Sequence, residues 1–168
     1  MTPSHTTKGL LPAGLLLLSL TALTGGCEEN DRCGPPRATV VNVVDGDTFD
    51  LDDGTRVRML MIDTPETTGG ADECYGEEAK QFALQTLLGA DVELSYDQEC
   101  EDQYGRLLAY VSINGREINA LMVERGYACV LYIPPNGADR RDEYDSLEYL
   151  AENGGVGMWG ACTGNPCD

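Results

Sequence analysis

Residues 38–44 form a largely apolar run, Asp45-Gly46 interrupts it, and residues 48–52 resume with alternating apolar side chains. Asp-Gly between two β-prone runs is a hairpin signal, because few residue types tolerate the backbone of such tight turns. This hairpin constrains the fold more than any other feature. It commits the chain to an antiparallel pair and, by period-two alternation, puts Asp47, Phe49 and Leu51 on one face. A second apolar run follows at residues 57–62, where Arg58, Leu60 and Ile62 alternate with Val57, Met59 and Met61. A guanidinium is thereby set on a face that otherwise reads as core, where it needs an anionic partner. A structural ion pair with Asp47 and a functional role both account for it. Asp63-Thr64-Pro65-Glu66 then ends the strand, since proline cannot donate to a ladder and restricts the residue before it.

The rest of the chain reads as scaffold. Ala79, Phe82, Ala83 and Leu87 recur at helical spacing behind Glu77 and Glu78, acids that suit a helix N-terminus. Ile118, Leu121 and Met122 mark a second helix stopped near Gly126. Tyr144, Leu147, Leu150 and Ala151 mark a third, ending at Asn153-Gly154-Gly155. Residues 91–96 and 107–113 supply further strands. The class is mainly β with α, and Trp159 near the end of the domain reads as a core plug rather than a base-stacking platform.

Three charged segments occur in order: Asp45-Gly46-Asp47-Thr48, then Arg58 with Asp63 and Glu66, then Asp102-Gln103-Tyr104-Gly105-Arg106. With them come the stretches VVDGDTFDL, VRMLMIDTPET, CYGEEAKQF, DQYGRLLAYV, INALMVERGYA and a closing GMW. On these motifs, residues 39–159 resemble the staphylococcal nuclease (thermonuclease) family. The resemblance implies a five-stranded OB-fold barrel with three helices. It also implies an exported hydrolase that cleaves DNA and RNA with calcium, releasing the 5′ oxygen and leaving 3′-phosphates. Carried over by residue, it implies calcium ligation by Asp47, Asp63 and the Thr64 carbonyl, Arg58 and Arg106 on the scissile phosphate, and Glu66 beside the attacking water. Tyr132, in ACVLY, matches a position lining the nucleotide pocket; a buried barrel tyrosine is the other reading. If this fold holds, Cys74 and Cys100 flank the mouth of the site, and a Cys74–Cys100 bridge is the expected pairing.

The chemistry is reasonable without the family. Calcium takes six to eight oxygen ligands, so two carboxylates and a carbonyl leave positions for water and phosphate. Guanidinium forks match phosphate oxygens, and a carboxylate just past a rigid proline can accept a proton from water.

Residues 1–27 read as an export signal, with Lys8 as the early charge and an apolar stretch shorter than the roughly 20 residues that span a bilayer. Thr24-Gly25-Gly26-Cys27 resembles a lipoprotein site, in which Cys27 is acylated and anchors the chain to the bacterial envelope. Simple secretion is the other reading. A linker over 28–37, the nuclease-like domain over 38–160 and a cysteine-containing tail over 161–168 complete the organisation. The chain has seven cysteines. Setting Cys27 aside leaves Cys33, Cys74, Cys100, Cys129, Cys162 and Cys167, an even set that suits three disulfides in an oxidising compartment. Cys33, Cys162 and Cys167 are expected to staple the termini, one of them to Cys129. A monomer is expected.

Charge runs against a nucleic-acid substrate. The chain carries 29 Asp and Glu against 11 Lys and Arg, a net charge of −18, whereas phosphate backbones are normally met by basic surfaces. A locally positive cleft around Arg58, Arg106 and the metal, adaptation to high salt, or loss of substrate binding would each explain it. The last keeps a second reading open: a non-catalytic, envelope-anchored OB-fold binding module.

Overall fold

In the computed structural model, residues 1–2, 33–67 and 73–167 are described. The proposed signal and Cys27 lie outside them. The hairpin predicted at Asp45-Gly46 forms: β1 (Arg37–Val43) pairs antiparallel with β2 (Thr48–Leu51), and the Val44 N–H donates to the Thr48 carbonyl across the turn at 2.9 Å. A register shift between Val40 and Asn42 bends β1. Bulges bend a strand and raise its twist, and here the two halves of β1 serve two partners. Its first half pairs with β5 (Asp91–Ser95), its second with β2.

The circuit closes through β3 (Arg56–Met59), which pairs antiparallel with β2 and parallel with β6 (Leu107–Ile113); β6 returns antiparallel to β5. These five strands make the closed barrel, and closure removes the exposed sheet edges. Short β4 (Ile62–Asp63) pairs with β8 (Cys129–Val130), and β7 (Arg116–Glu117) extends β6. Phe49, Leu51, Val57, Met59, Val92, Ala109 and Val111 fill the core.

The three expected helices are α1 (Gly76–Leu87), α2 (Ile118–Glu124) and α3 (Arg141–Gly154). Glu77 and Glu78 occupy the first turn of α1, and Gly155, in the left-handed region, caps α3. A single further turn, α4 (Met158–Ala161), follows. Two core assignments change. Leu150 is 65% exposed, because α3 turns Tyr144 and Ala151 inward and Leu150 to solvent. The plug at the end of the domain is fully buried Met158, while Trp159 is half-buried with an indole N–H that has no hydrogen-bond partner.

The expected Cys74–Cys100 bridge is corrected by the structure, which joins Cys33 to Cys100, Cys74 to Cys162 and Cys129 to Cys167. The reason is packing at both ends of the barrel. The segment entering β1 lies against β5, where Tyr96 Oη donates to the Pro35 carbonyl, so Cys33 arrives beside the loop that follows β5. Cys74, preceding α1, meets the tail beyond α4 instead. The strand position of Cys129 and its tail partner match the expectation.

Candidate active site

Arg58 does not share a strand face with Ile62, because β3 stops at Met59 and Met61 turns the chain with φ of 65°. That turn brings later backbone back onto the guanidinium. Arg58 donates to the carbonyls of Met59 at 2.6 Å and Ile62 at 2.7 Å, and its side chain is only 11% exposed. It also pairs with Asp47 at 3.1 Å and Asp63 at 2.7 Å. Both readings offered for Arg58 therefore meet in one place: the ion pair with Asp47 exists, and it lies behind a cleft.

Asp47 is buried, and both its oxygens are engaged. One oxygen accepts from the Thr48 hydroxyl and faces Arg58; the other accepts from both the Thr64 N–H and hydroxyl, at 2.9 and 3.0 Å. Gly46 makes this contact possible, since a Cβ there would come within 2.6 Å of the Thr64 side chain. The Asp-Gly turn is thus both a hairpin and a lid on the turn after β4.

Glu66 sits on that same turn. Its N–H donates to the Glu73 carboxylate at 2.8 Å, and the Glu73 N–H returns to the Glu66 carbonyl at 3.1 Å. At Gly76, the start of α1, a Cβ would lie within 2.9 Å of the Pro65 carbonyl, so the helix abuts the turn closely. These contacts seat the turn against α1, and Glu66 lines the cleft at the barrel mouth.

Arg106 comes from the loop before β6 and is positioned locally. Asp102 accepts from Arg106 Nε at 2.6 Å and from the Arg106 and Tyr104 N–H groups at 3.0 and 2.9 Å. Burial opposes the charge on Asp102, but these hydrogen bonds and the guanidinium outweigh it and hold its pKa below the ordinary value. The guanidinium also lies over the Tyr104 ring, 5.4 Å from its centroid.

Arg58, Asp63, Glu66 and Arg106 all line one cleft of about 450 Å³. Asp47 and Thr64 form the layer behind it. Tyr132 stands elsewhere: it packs against the core, and the Arg141 guanidinium of α3 covers its ring at 4.8 Å. Leu131 and Ile133, its neighbours, line the cleft instead.

The donor set suits a hard cation. Burial, and next the charge of Asp47, push the Asp45 carboxyl up to about 6. Burial also raises Asp63, with Asp47, Glu66 and Glu73 adding to it against the pull of Arg58. Carboxylates held this close with one buried guanidinium between them are the oxygen-rich, charge-unbalanced surroundings that a divalent cation neutralises. The cluster of Cys129, Glu148 and Cys167 does not compete for that role, because its two sulfurs are bonded to each other.

Sequence reasoning missed Asp45, Asp102, Glu99 and Glu101. The first two carried a signal, since each opens one of the charged segments and can reach a partner two to four residues on. The two glutamates carried none, because their place at the cleft depends on a contact with residue 136.

Residues 56–161 match the family model described as staphylococcal nuclease homologue. An uncharacterized protein of Bacillus anthracis is 37% identical over 129 residues, covering 73% of this chain and 60% of its own length. A thermonuclease of Staphylococcus intermedius is 40% identical over 102 residues, 58% of this chain and 61% of that protein. Endonuclease YncB of Bacillus subtilis is 30% identical over 127 residues, 72% and 60% respectively. The chain spans about three fifths of the length of these relatives.

Proposed function

The chain belongs to the staphylococcal nuclease family, and we propose that it is an exported, calcium-dependent endonuclease acting on DNA and RNA. Water attacks phosphorus, the 5′ oxygen leaves, and the products end in 3′-phosphates. The observation that carries this reading is the convergence of Arg58, Asp63 and Glu66 with Arg106, from two separate segments, on a single cleft. A purely structural ion pair needs no such convergence.

Each side chain has a defined task. Arg58, fixed by four acceptors, presents what remains of its donor fork to a phosphate oxygen, and a donor that need not reorganise stabilises developing charge best. Arg106 supplies the second guanidinium. Glu66, held on its turn by Glu73, accepts a proton from the attacking water. Asp47, Asp63 and the Thr64 carbonyl would hold calcium, which supplies further neutralisation of charge at phosphorus.

Three disulfides support an oxidising compartment, and hence export. Cys27 remains the proposed acylation site; Cys27→Ser would release the protein from membranes, and persistent membrane association would count against the anchor. The acidic composition favours one rival, a non-catalytic binding module at the envelope. Hydrolysis of single-stranded DNA by the oxidised protein, with calcium and with chelator, separates the two. Calcium-dependent cleavage leaving 3′-phosphates is expected; a folded, calcium-loaded protein that cleaves nothing would be the binding module.

A further inference from the structure

The cleft is not the locally positive patch that an acidic nuclease would need to capture a polyanion. Among the described residues its lining carries five carboxylates, Asp63, Glu66, Glu99, Glu101 and Asp102, against two guanidiniums, Arg58 and Arg106. Asp47 adds another negative charge directly behind them, and both guanidiniums are already engaged by carboxylates. A divalent cation would lessen the imbalance without reversing it.

Glu99 and Glu101 stand apart within this set. Both are exposed, and among the described residues their carboxylates have neither an ion pair nor a hydrogen bond. The backbone beneath them is nevertheless fixed. Buried Asn136 accepts from the Glu99 N–H at 2.8 Å and donates to the Glu99 carbonyl at 2.9 Å. Cys100, between the two glutamates, is bonded to Cys33, and Glu101 pairs with Leu107. The segment that carries this acidic rim is therefore anchored at the cleft. Among the described residues Arg37, Arg56, Arg116, Arg140 and Arg141 are each paired with a carboxylate, and neither Lys80 nor Arg125 lines the cleft.

We propose that Glu99 and Glu101 are specificity-determining residues that make the cleft favour short oligonucleotides over long strands. A long strand threaded through the cleft brings the phosphates flanking the scissile one near unpaired carboxylates on an anchored backbone, and like charges repel. Ordinary nucleic-acid binding weakens as salt rises, through counterion release. Here salt screens the rim, so long strands gain entry as ionic strength increases. The inference rests on the nuclease reading above.

The test uses the full oxidised chain and a Glu99→Gln/Glu101→Gln variant at fixed calcium. The kcat/KM per cleavable bond is measured for a trinucleotide and for a single strand of about 40 nucleotides, at about 0.02 M and about 0.5 M sodium chloride. Anisotropy of the same labelled strands gives the long-to-short binding ratio independently of turnover. The short substrate is expected to be favoured by about tenfold at low salt, the preference fading at high salt, and the variant is expected to raise the low-salt long-to-short ratio by about tenfold. A misfolded variant would lose both substrates together and leave that ratio unmoved. A wild type that prefers the long strand at low salt, or a variant that keeps wild-type turnover of the trinucleotide with an unchanged ratio, overturns the inference while observed hydrolysis keeps the nuclease reading. Should neither substrate be cleaved, the nuclease reading fails, and the binding ratio alone decides whether the rim selects for length.

Discussion

Arg58 and Arg106 face the same cleft from different footings. Arg58 rises from a barrel strand, is almost wholly covered, and is held by Asp47, Asp63 and two backbone carbonyls. Arg106 lies on a loop, is 29% exposed, and depends on one carboxylate four residues away. The first guanidinium is part of the folded core, so its chemistry and the stability of the barrel cannot be separated. The second is positioned by local geometry, so its chemistry can be removed while the fold stays intact.

Four changes would break or sharpen that contrast. Arg58→Ala should have the largest effect, because it strands Asp47 as a buried, unpaired charge: about 3–5 kcal/mol of stability lost in urea unfolding, together with the activity. A variant of near wild-type stability would show that the two arginines do not differ in this way. Arg106→Ala should lower kcat by about 10²–10³-fold, or roughly 3–4 kcal/mol of transition-state stabilisation, with a stability change under about 1 kcal/mol. Near-normal turnover would exclude Arg106 from the reaction.

Cys33→Ser with Cys100→Ser removes the bridge over the loop leading to Arg106 and should cost about 2–4 kcal/mol of stability. Its effect on kcat should overlap that of Arg106→Ala, so that the combined variant loses less than the sum of the two; additive losses would argue that the bridge only stabilises. Asp102→Asn should be mildest, with about a tenfold loss of kcat/KM as Arg106 loses its ionic partner. It also carries a pH signature. The folded pKa of Asp102 lies below its ordinary 3.8, so its pairing stabilises the fold fully above that value and is lost as pH falls through the folded one. Asp102→Asn should flatten the acid limb of the stability profile below about pH 4, and an unchanged limb would show that Arg106 does not hold that charge.

The site was legible in the sequence where its residues act through neighbours. Asp45-Gly46 announces its turn because the backbone itself demands those residues, and Arg58 announces its partner because an apolar strand cannot carry an unpaired guanidinium. Leu150 and Trp159 misled for a related reason. Helical spacing marks a stripe of positions, yet α3 buries only the narrow part of it around Tyr144 and Ala151. Tyr132 left two readings open because what covers its ring, the Arg141 guanidinium, comes from another element, α3.

By itself, the sequence determined the antiparallel start, the three helices, the family and the charged groups available for chemistry, since all of these follow from local backbone preference and the order of residue types. Only the tertiary structure decided which cysteines meet, that Met61 folds the chain back over Arg58, and that Glu99 and Glu101 stand at the cleft. The turn at Met61 is local but takes a left-handed backbone that methionine does not announce; the other two join segments tens of residues apart, as Asn136 joins Glu99 across 37 positions. Long-range contacts are set by how a closed barrel packs, and no local pattern encodes them.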